Sequence, residues 1–205
     1  MKVTREKANQ NRTAIVAAAE QLFRAKGFDG VGIADITRAA GLTHGGFYGH
    51  FASKDALAAE ACALSFAESL ERMAARARSG GGGIKAYIGA YLSPAHVTGT
   101  APRCPMAAFS SDIVRQDAQV QARFAEGVAD YIAAMAAMLP QADAQARHDR
   151  ATTLLCTLVG ALSLARAVAG SDPAAADALL EQVRSDLIAL ADAPAPPSGD
   201  PPSRS

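Results

Sequence analysis

The sequence predicts an all-α protein of nine helices, and three observations support that prediction. The 205-residue chain is very rich in alanine, the strongest helix former. It has no long runs of Val, Ile, Thr and aromatic residues, which would indicate strands. Its apolar residues recur at spacings of three and four, as they do on one face of a helix.

Four helices are predicted in the N-terminal part, over about 4–26, 33–40, 43–51 and 53–79. Gly27 and Gly41 stand where the first two must end, because glycine accepts the left-handed conformation. Ser53 is a suitable N-cap for the fourth. The glycine run 80–83 then breaks that helix. We interpret the run as a flexible connector, since Lys85 does not follow it at the spacing of a phosphate-binding loop.

Five helices are predicted beyond the glycine run, over about 84–92, 106–114, 117–139, 143–169 and 173–191. Residues 93–105 read as a loop, and Asp172 with Pro173 marks the start of the last helix. The Pro-rich end is too poor in apolar residues to fold. The predicted domains are therefore 1–52, 53–192 and a disordered tail, 193–205.

Residues 33–57 carry the strongest functional signal. Two short helices flank Gly41, and Thr43 can cap the second of them. Phe47 and Phe51 are spaced to pack inward, which leaves polar groups and Tyr48 for other uses. This is the layout of a helix-turn-helix, whose second helix enters the DNA major groove.

The same segment resembles the DNA-binding domain of the TetR-family transcriptional regulators. The family pattern is an apolar-x-Asp-Ile-Ala-x-Ala-Ala-Gly helix and turn, a recognition helix containing aromatic-Tyr-x-His-Phe, and then Ser-Lys-Asp/Glu-x-Leu. Thr37 departs from it, since alanine is usual there. The matching residues are Ile33, Asp35, Ile36, Ala39, Ala40, Gly41, Thr43, Gly45, Phe47, Tyr48, His50, Phe51, Ser53, Lys54, Asp55 and Leu57.

The resemblance implies a three-helix DNA-reading head on a helical body that binds a small molecule and forms a homodimer. Phosphate contacts are expected from Tyr48, His50 and Lys54, because most of the affinity must come from the DNA backbone. Base-edge contacts are expected at the leading end of the recognition helix, from Thr43, His44, Gly45 and Gly46. A two-fold dimer would then read a pseudo-palindrome in double-stranded operator DNA.

Charge is distributed unevenly although the net charge is zero. Residues 1–55 carry 8 Lys/Arg against 5 Asp/Glu, and residues 56–205 carry 12 against 15. A basic run near the N-terminus includes Lys2, Arg5, Lys7 and Arg12, which are either a solvated helix face or contacts to a neighbouring phosphate. A protein that touches DNA at one end fits this distribution.

Two apolar stripes in the last two helices suit a four-helix dimer interface, although internal core is an alternative. Their members are Leu155, Leu158 and Leu162, then Leu180, Val183 and Leu187. A candidate effector pocket combines apolar bulk with polar tips and soft sulfur. Its members are Phe66, Tyr87, Tyr91, Cys104, Met106, Phe109, Phe124 and Met135.

Three cysteines without CxxC spacing indicate reduced thiols rather than disulfides or a zinc site, and nothing in the sequence suggests a metal or a cofactor. Cys104 follows Arg103 at a loop-to-helix junction, which favours the thiolate. A short resemblance to electrophile-sensing TetR regulators adds to this signal, with an inert buried thiol as the alternative. Cys62 and Cys156 fall within helices, where we expect small core residues.

The leading functional hypothesis is a ligand-responsive repressor, whose effector binds the body and releases operator DNA. An electrophile is one candidate for that effector. A DNA-binding regulator or architectural protein without a ligand is the alternative. A thiol enzyme using Cys104, His96 and Asp112 is remote, so we expect no enzyme.

Localisation follows from two further expectations. We expect no apolar run to approach membrane length. The N-terminus is charged and lacks the character of a signal peptide. The sequence therefore predicts a cytoplasmic protein.

Overall fold

The computed structural model describes residues 5–78, 83–99, 104–141 and 143–194, apart from the side chain of His44. Within these ranges there are no strands, and the helices are α1 (Arg5–Lys26), α2 (Ile33–Ala39), a 3₁₀ helix (His44–Gly46), α3 (Lys54–Arg76), α4 (Ile84–Tyr91), α5 (Pro94–Val97), α6 (Pro105–Ile113), α7 (Ala118–Ala136), α8 (Ala144–Ala169) and α9 (Pro173–Asp192). The all-helical prediction is confirmed. Gly80–Gly82, Arg103 and most of the predicted tail lie outside the described residues.

Helices end at glycines and begin at capping residues that the sequence predicts. Gly27 and Gly41 have φ values of 75° and 70°, in the left-handed region that favours glycine. The Ser53 hydroxyl accepts a hydrogen bond from the Ala56 amide at 3.0 Å, and Asp172 accepts one from the Ala175 amide at 2.9 Å. Each of these caps satisfies an otherwise unpaired amide at a helix start.

Two local predictions were wrong. The recognition segment is not an α-helix, since a 3₁₀ turn at His44–Gly46 is followed by turns up to residue 50. Three glycines in this short stretch oppose α-helix formation. The second difference is α5, which lies inside the predicted loop 93–105. Pro94 stands at its first position and the Ser93 hydroxyl caps it, accepting from the His96 amide at 3.4 Å.

The described chain divides into two compact units. One contains the described parts of Met1–Ala74 and Pro102–Asp130, and the other those of Ala75–Ala101 and Tyr131–Ser205. The first unit is built from α1, α2, the recognition segment, α3, α6 and most of α7. In the second unit, α8 packs along α9, with α4 and α5 beside them.

The predicted dimer residues need a correction. Five of the six are internal core, because they are at most 3% exposed within a single chain and have no surface left to offer a partner: Leu155, Leu158, Leu162, Leu180 and Leu187. Val183 is partly exposed. The outward face of α8 carries different residues, namely Cys156, Ser163, Leu164 and Ala167.

Helix α8 also corrects the expectation that no segment approaches membrane length. By length and composition, Ala144–Ala169 could cross a membrane, and it is the one helix within the described ranges that could. The core helix of a soluble protein passes the same test. Here the packing of α8 on α9 accounts for its apolar character.

The start of the predicted tail is held in place. The buried Arg150 guanidinium donates to the carbonyl oxygens of Ala193 and Pro194. The Gln141 amide donates to the Ala193 carbonyl at 3.2 Å. Residues 193 and 194 therefore belong to the second unit, and the disorder predicted for the rest of the tail concerns residues outside the described part.

Candidate nucleic-acid interface

The recognition segment is positioned by two phenyl rings. Phe47 is fully buried and Phe51 is 4% exposed, and their ring centroids lie 5.7 Å apart. The Tyr48 ring meets Phe47 edge-on, yet 62% of Tyr48 remains exposed. The backbone turns tightly between the rings, with the Phe51 amide donating to the Phe47 carbonyl at 3.1 Å. The glycine-rich segment is thereby held by its aromatic anchors together with hydrogen bonds of single turns.

The predicted contact residues are arranged on this anchored segment. Thr43, Gly45 and Tyr48 are exposed, and Gly46 and His50 are partly exposed. The His44 backbone lies in the 3₁₀ turn, and its side chain is outside the described atoms. Exposed polar groups beside a buried anchor can meet DNA without loss of core packing. The role of each in DNA contact remains a prediction.

Helix α2 accommodates Thr37, which departs from the family pattern, and it begins after Gly32, which offers no side chain as a cap. Thr37 is buried, and its hydroxyl lies 3.0 Å from the Ile33 carbonyl oxygen, so the helix itself satisfies it. At Gly32 no side chain is present to cap α2. The Asp35 carboxylate instead accepts from the Gly32 amide at 3.2 Å, and its negative charge suits the helix N-terminus.

Lys54 has a role that the motif does not reveal. Its Nζ donates to the Phe28 carbonyl at 2.6 Å, and it lies 5.9 Å from the centre of the Phe23 ring. Lys54 therefore ties the first residue of α3 to the turn after α1. An ammonium has three donors, so a phosphate contact remains compatible with this bond. Replacing Lys54 would nevertheless disturb the head as well as any DNA contact.

Arg12 is a positioning residue that sequence reasoning placed among candidate phosphate contacts. Its guanidinium lies 4.7 Å from the centre of the Phe51 ring and pairs with Glu60. It thus joins α1, the recognition segment and α3. A cation over a ring contributes a modest amount to packing. This role depends on residues that are close only in the folded chain, so a local charge pattern in the sequence does not predict it.

The predicted effector residues fall into separate groups, one in each unit. In the first unit, Phe66 and Phe124 pair edge-on with centroids 5.4 Å apart. Phe109, Cys104 and Met106 are also buried there. In the second unit, Tyr87 and Tyr91 have centroids 5.8 Å apart, and Met135 is fully buried. Whether the eight line one pocket stays a prediction.

Grooves occur elsewhere in the first unit, along α1. One of about 560 Å³ is bordered by Glu6, Asn9, Gln10, Thr13, Ala14 and Ala17. A second of about 360 Å³ lies between α1 and the end of α2. Neither includes a predicted effector residue.

The cysteine assignments need one correction. Cys156 is exposed on α8, whereas the sequence predicts a core position. Cys62 is buried as predicted, and burial raises the pKa of its thiol to about 12. Cys104 is 3% exposed and is the N-cap of α6. Asp112 lies near the other end of α6, about 12 Å along the axis, so the Cys104–Asp112 pairing of the enzyme hypothesis does not form.

His96 is a buried, polar residue of the second unit. Its Nδ1 donates to the Tyr91 carbonyl at 2.8 Å, while Nε2 has no hydrogen-bond partner. The Arg166 guanidinium donates to the His96 carbonyl at 2.7 Å. Burial, opposed by the Tyr91 hydrogen bond, lowers the pKa of His96, so the folded state favours the neutral ring.

That lowered pKa predicts a pH dependence of stability. Below the ordinary histidine value of 6.5 the unfolded chain binds the proton more readily, so stability falls as pH drops through 6.5 towards the folded pKa. We expect His96→Asn to flatten this acid limb in thermal melts between about pH 7.5 and 5. The exposed His148→Asn is the matched control and should melt with the wild-type pH profile. An unchanged acid limb in His96→Asn would contradict the assignment.

The fold and the anchored segment define a helix-turn-helix DNA-binding protein. The sequence pattern described as "Bacterial regulatory proteins, tetR family" matches residues 15–61. The HTH-type transcriptional regulator YerO of Bacillus subtilis is 35% identical over 65 residues, which are 32% of this chain and 22% of that protein. The chain therefore matches only about a fifth of that relative's length.

Solved structures share the fold. NemR of E. coli in its reduced form has a TM-score of 0.70 at 20% identity, with 86% of this chain and 94% of that chain covered. FadR of Bacillus subtilis in complex with stearoyl-CoA has a TM-score of 0.62 at 16% identity, with 86% and 97% covered. Residues 15–61 are thus similar to the DNA-binding region of TetR-family regulators, and the fold is shared with solved structures of such regulators.

Proposed function

We propose that this protein is a cytoplasmic, homodimeric repressor that binds operator DNA and releases it when a small molecule binds the helical body. The observation that carries the proposal is the recognition segment, whose buried rings hold Thr43, Gly45 and Tyr48 at the surface. Affinity would come from phosphates through Tyr48, His50 and Lys54, and sequence preference from Thr43 and His44. The neighbour bound to stearoyl-CoA supports a small-molecule effector.

A dimer would form through the outward face of α8 rather than through its leucine stripe. Ser163 and Ala167 permit close helix approach, and Leu164, which is 59% exposed, supplies apolar surface. A large exposed leucine on an otherwise small-residue face suits burial against a second copy. Two heads related by a two-fold axis would then read a pseudo-palindrome.

DNA contacts can be tested by fluorescence anisotropy on a duplex that the wild type selects from a random pool. Tyr48→Phe should weaken binding to all sequences alike, whereas His44→Ala should relax preference at one base pair by about 1–3 kcal/mol. Lys54→Ala should also lower the salt slope by roughly one unit if it contacts phosphate. Full wild-type affinity and preference in both Tyr48→Phe and His44→Ala would contradict the docking.

The Lys54 result needs a control for its bond inside the head. Lys54→Gln removes the charge but keeps a side-chain N–H donor for the Phe28 carbonyl. If Lys54→Gln lowers the salt slope without changing the melting temperature, the slope reports a phosphate contact. A melting temperature that falls while the salt slope holds would restrict Lys54 to the structural role.

Cys104 remains the proposed sensor of an electrophilic effector, and the fold is shared with NemR, whose solved structure is of a reduced form. Cys104 stands at the N-terminus of α6, and its burial slows attack by its thiol. Brief maleimide labelling, followed by peptide mass spectrometry, measures the order in which the cysteines react. In monomeric protein the exposed Cys156 should react first, then Cys104, and Cys62 last. Only Cys104 modification should release DNA, so Cys156→Ser should keep the response and Cys104→Ser should lose it. Release in Cys104→Ser would leave a non-covalent ligand as the effector.

A further inference from the structure

The turn between α1 and α2 is held by a helix that lies far away in the sequence. The fully buried rings of Phe28, in that turn, and Phe109, in α6, have centroids 4.9 Å apart. Phe23 of α1 extends this cluster of tilted rings, with its centroid 5.0 Å from that of Phe28. Aromatic pairs at this separation add stabilisation beyond the apolar area they bury.

The backbone of the turn also fits closely against α6. A methyl group added at Gly27 would lie 2.3 Å from the carboxylate of Asp112. Asp112 in turn accepts from the Arg115 guanidinium at 2.7 Å. Gly27 thus serves two purposes, since its φ of 75° ends α1 and its missing side chain admits α6.

Charged and polar side chains close the outer edge of the contact. Arg115 Nε lies 3.8 Å from the Asp29 carboxylate, and the Gln116 amide donates to Asp29 at 3.5 Å. Both partners of the ion pair are more than half exposed, so the pair contributes little stability alone. The ion pair instead fixes the orientation of α6, because it holds the end of this helix over the turn that Phe109 contacts.

From the turn the contact continues to the start of α3. The carbonyl oxygen of Phe28, whose ring contacts Phe109, accepts a hydrogen bond from Lys54. Lys54 lies three residues after Phe51, whose ring anchors the recognition segment. Contacts therefore join α6 to the 27–30 turn and that turn to Lys54, and the chain itself connects Lys54 to the recognition segment.

We infer that α6 is a clasp on the 27–30 turn, and that Phe109, Asp112 and Arg115 are positioning residues for DNA reading. The inference rests on the proposed function. Loosening α6 would let α1 and α2 move relative to α3, so a smaller fraction of heads would be competent to bind. Because Cys104 stands at the N-cap position of the same helix, an effector acting at that residue would reach the head through this turn.

Two conservative variants test the clasp, each with a matched control. Arg115→Ala is compared with Arg123→Ala, which removes a similarly exposed arginine that forms an i,i+3 pair with Glu126 on α7. Phe109→Leu is compared with Tyr131→Leu, which removes a buried aromatic ring from the second unit. All are full-length proteins. The readouts are affinity for a duplex selected by the wild type, its salt slope, and hydrogen exchange of the peptide spanning 27–32.

The clasp predicts weaker DNA binding, by about two- to fivefold for Arg115→Ala and roughly three- to tenfold for Phe109→Leu. The salt slope should not change, and exchange over 27–32 should accelerate without DNA; the controls should match the wild type in all three. Clasp variants that behave like their controls would overturn the inference. A salt slope lowered by about one unit, with unchanged exchange, would make Arg115 a phosphate contact instead.

Failure of the proposed function would look different. In that case the wild type itself would select no duplex from the pool. The exchange measurement needs no DNA, so it would still decide whether α6 holds the 27–30 turn.

Discussion

Replacing Leu158 with aspartate will unfold the protein, whereas the same change at Leu164, six residues along α8, will leave each subunit folded and dissociate the proposed dimer. Leu158 is fully buried, and Leu164 is 59% exposed. A carboxylate at Leu158 has no partner in an apolar core, and that cost of several kcal/mol approaches the whole stability of a domain. At Leu164 the charge stays solvated in the monomer and opposes only a subunit contact.

Circular dichroism melts and light scattering separate the two outcomes. Leu158→Asp should lack a cooperative helical transition. Leu164→Asp should keep one and scatter as a monomer at micromolar concentration. A dimeric Leu164→Asp protein would contradict the assignment of the α8 face, and a wild-type melt for Leu158→Asp would contradict the core.

Gly127→Ala will destabilise the protein, although alanine normally stabilises a helix interior. A Cβ at Gly127 in α7 would lie 2.3–2.5 Å from ring atoms of Phe66. That ring is itself buried and packed against Phe124, so it has little freedom to move aside. Overpacking of this kind typically costs about 1–3 kcal/mol, which outweighs the helix-propensity gain.

Gly89→Ala in α4 is the control for the Gly127 prediction. Nothing lies within 4 Å of a Cβ at Gly89, so this variant should gain about 0.5–1 kcal/mol. The double variant Gly127→Ala with Phe66→Leu should recover part of the loss, since a leucine side chain can adjust. Denaturant titrations measure all three. A stabilised Gly127→Ala would show that α7 is not pressed against Phe66.

The sequence predicted those features that depend on local chemistry. Helix starts at Ser53 and Asp172 and the turns at Gly27 and Gly41 follow from capping and backbone freedom, and the structure confirms them. The inward packing of Phe47 and Phe51 followed from their i,i+4 spacing. The composition also predicted the fold class, because alanine-rich amphipathic stretches have few alternatives to helix packing.

Features that depend on tertiary partners were not predictable from periodicity. An apolar stripe shows that a helix face is buried, but it does not distinguish burial against α9 from burial against a second copy, and the leucines of α8 were assigned to the wrong one. Cys156 was placed in the core for the same reason. The hydrogen bond from Lys54 to Phe28 joins residues 26 positions apart, and the ring contact of Phe109 with Phe28 joins residues 81 positions apart.

The most direct test of a sequence-specific DNA-binding regulator is selection of duplexes from a random pool by the purified wild-type protein. A two-headed dimer should enrich a pseudo-palindrome with half-sites about one helical turn apart, or a simple multiple of it. Affinity for that duplex should fall steeply with salt. The double variant Thr43→Ala with Tyr48→Ala should lose the enrichment while retaining the wild-type melt. A pool that stays random under the wild type, at low salt and with a dimeric sample, would contradict sequence-specific DNA binding by this protein.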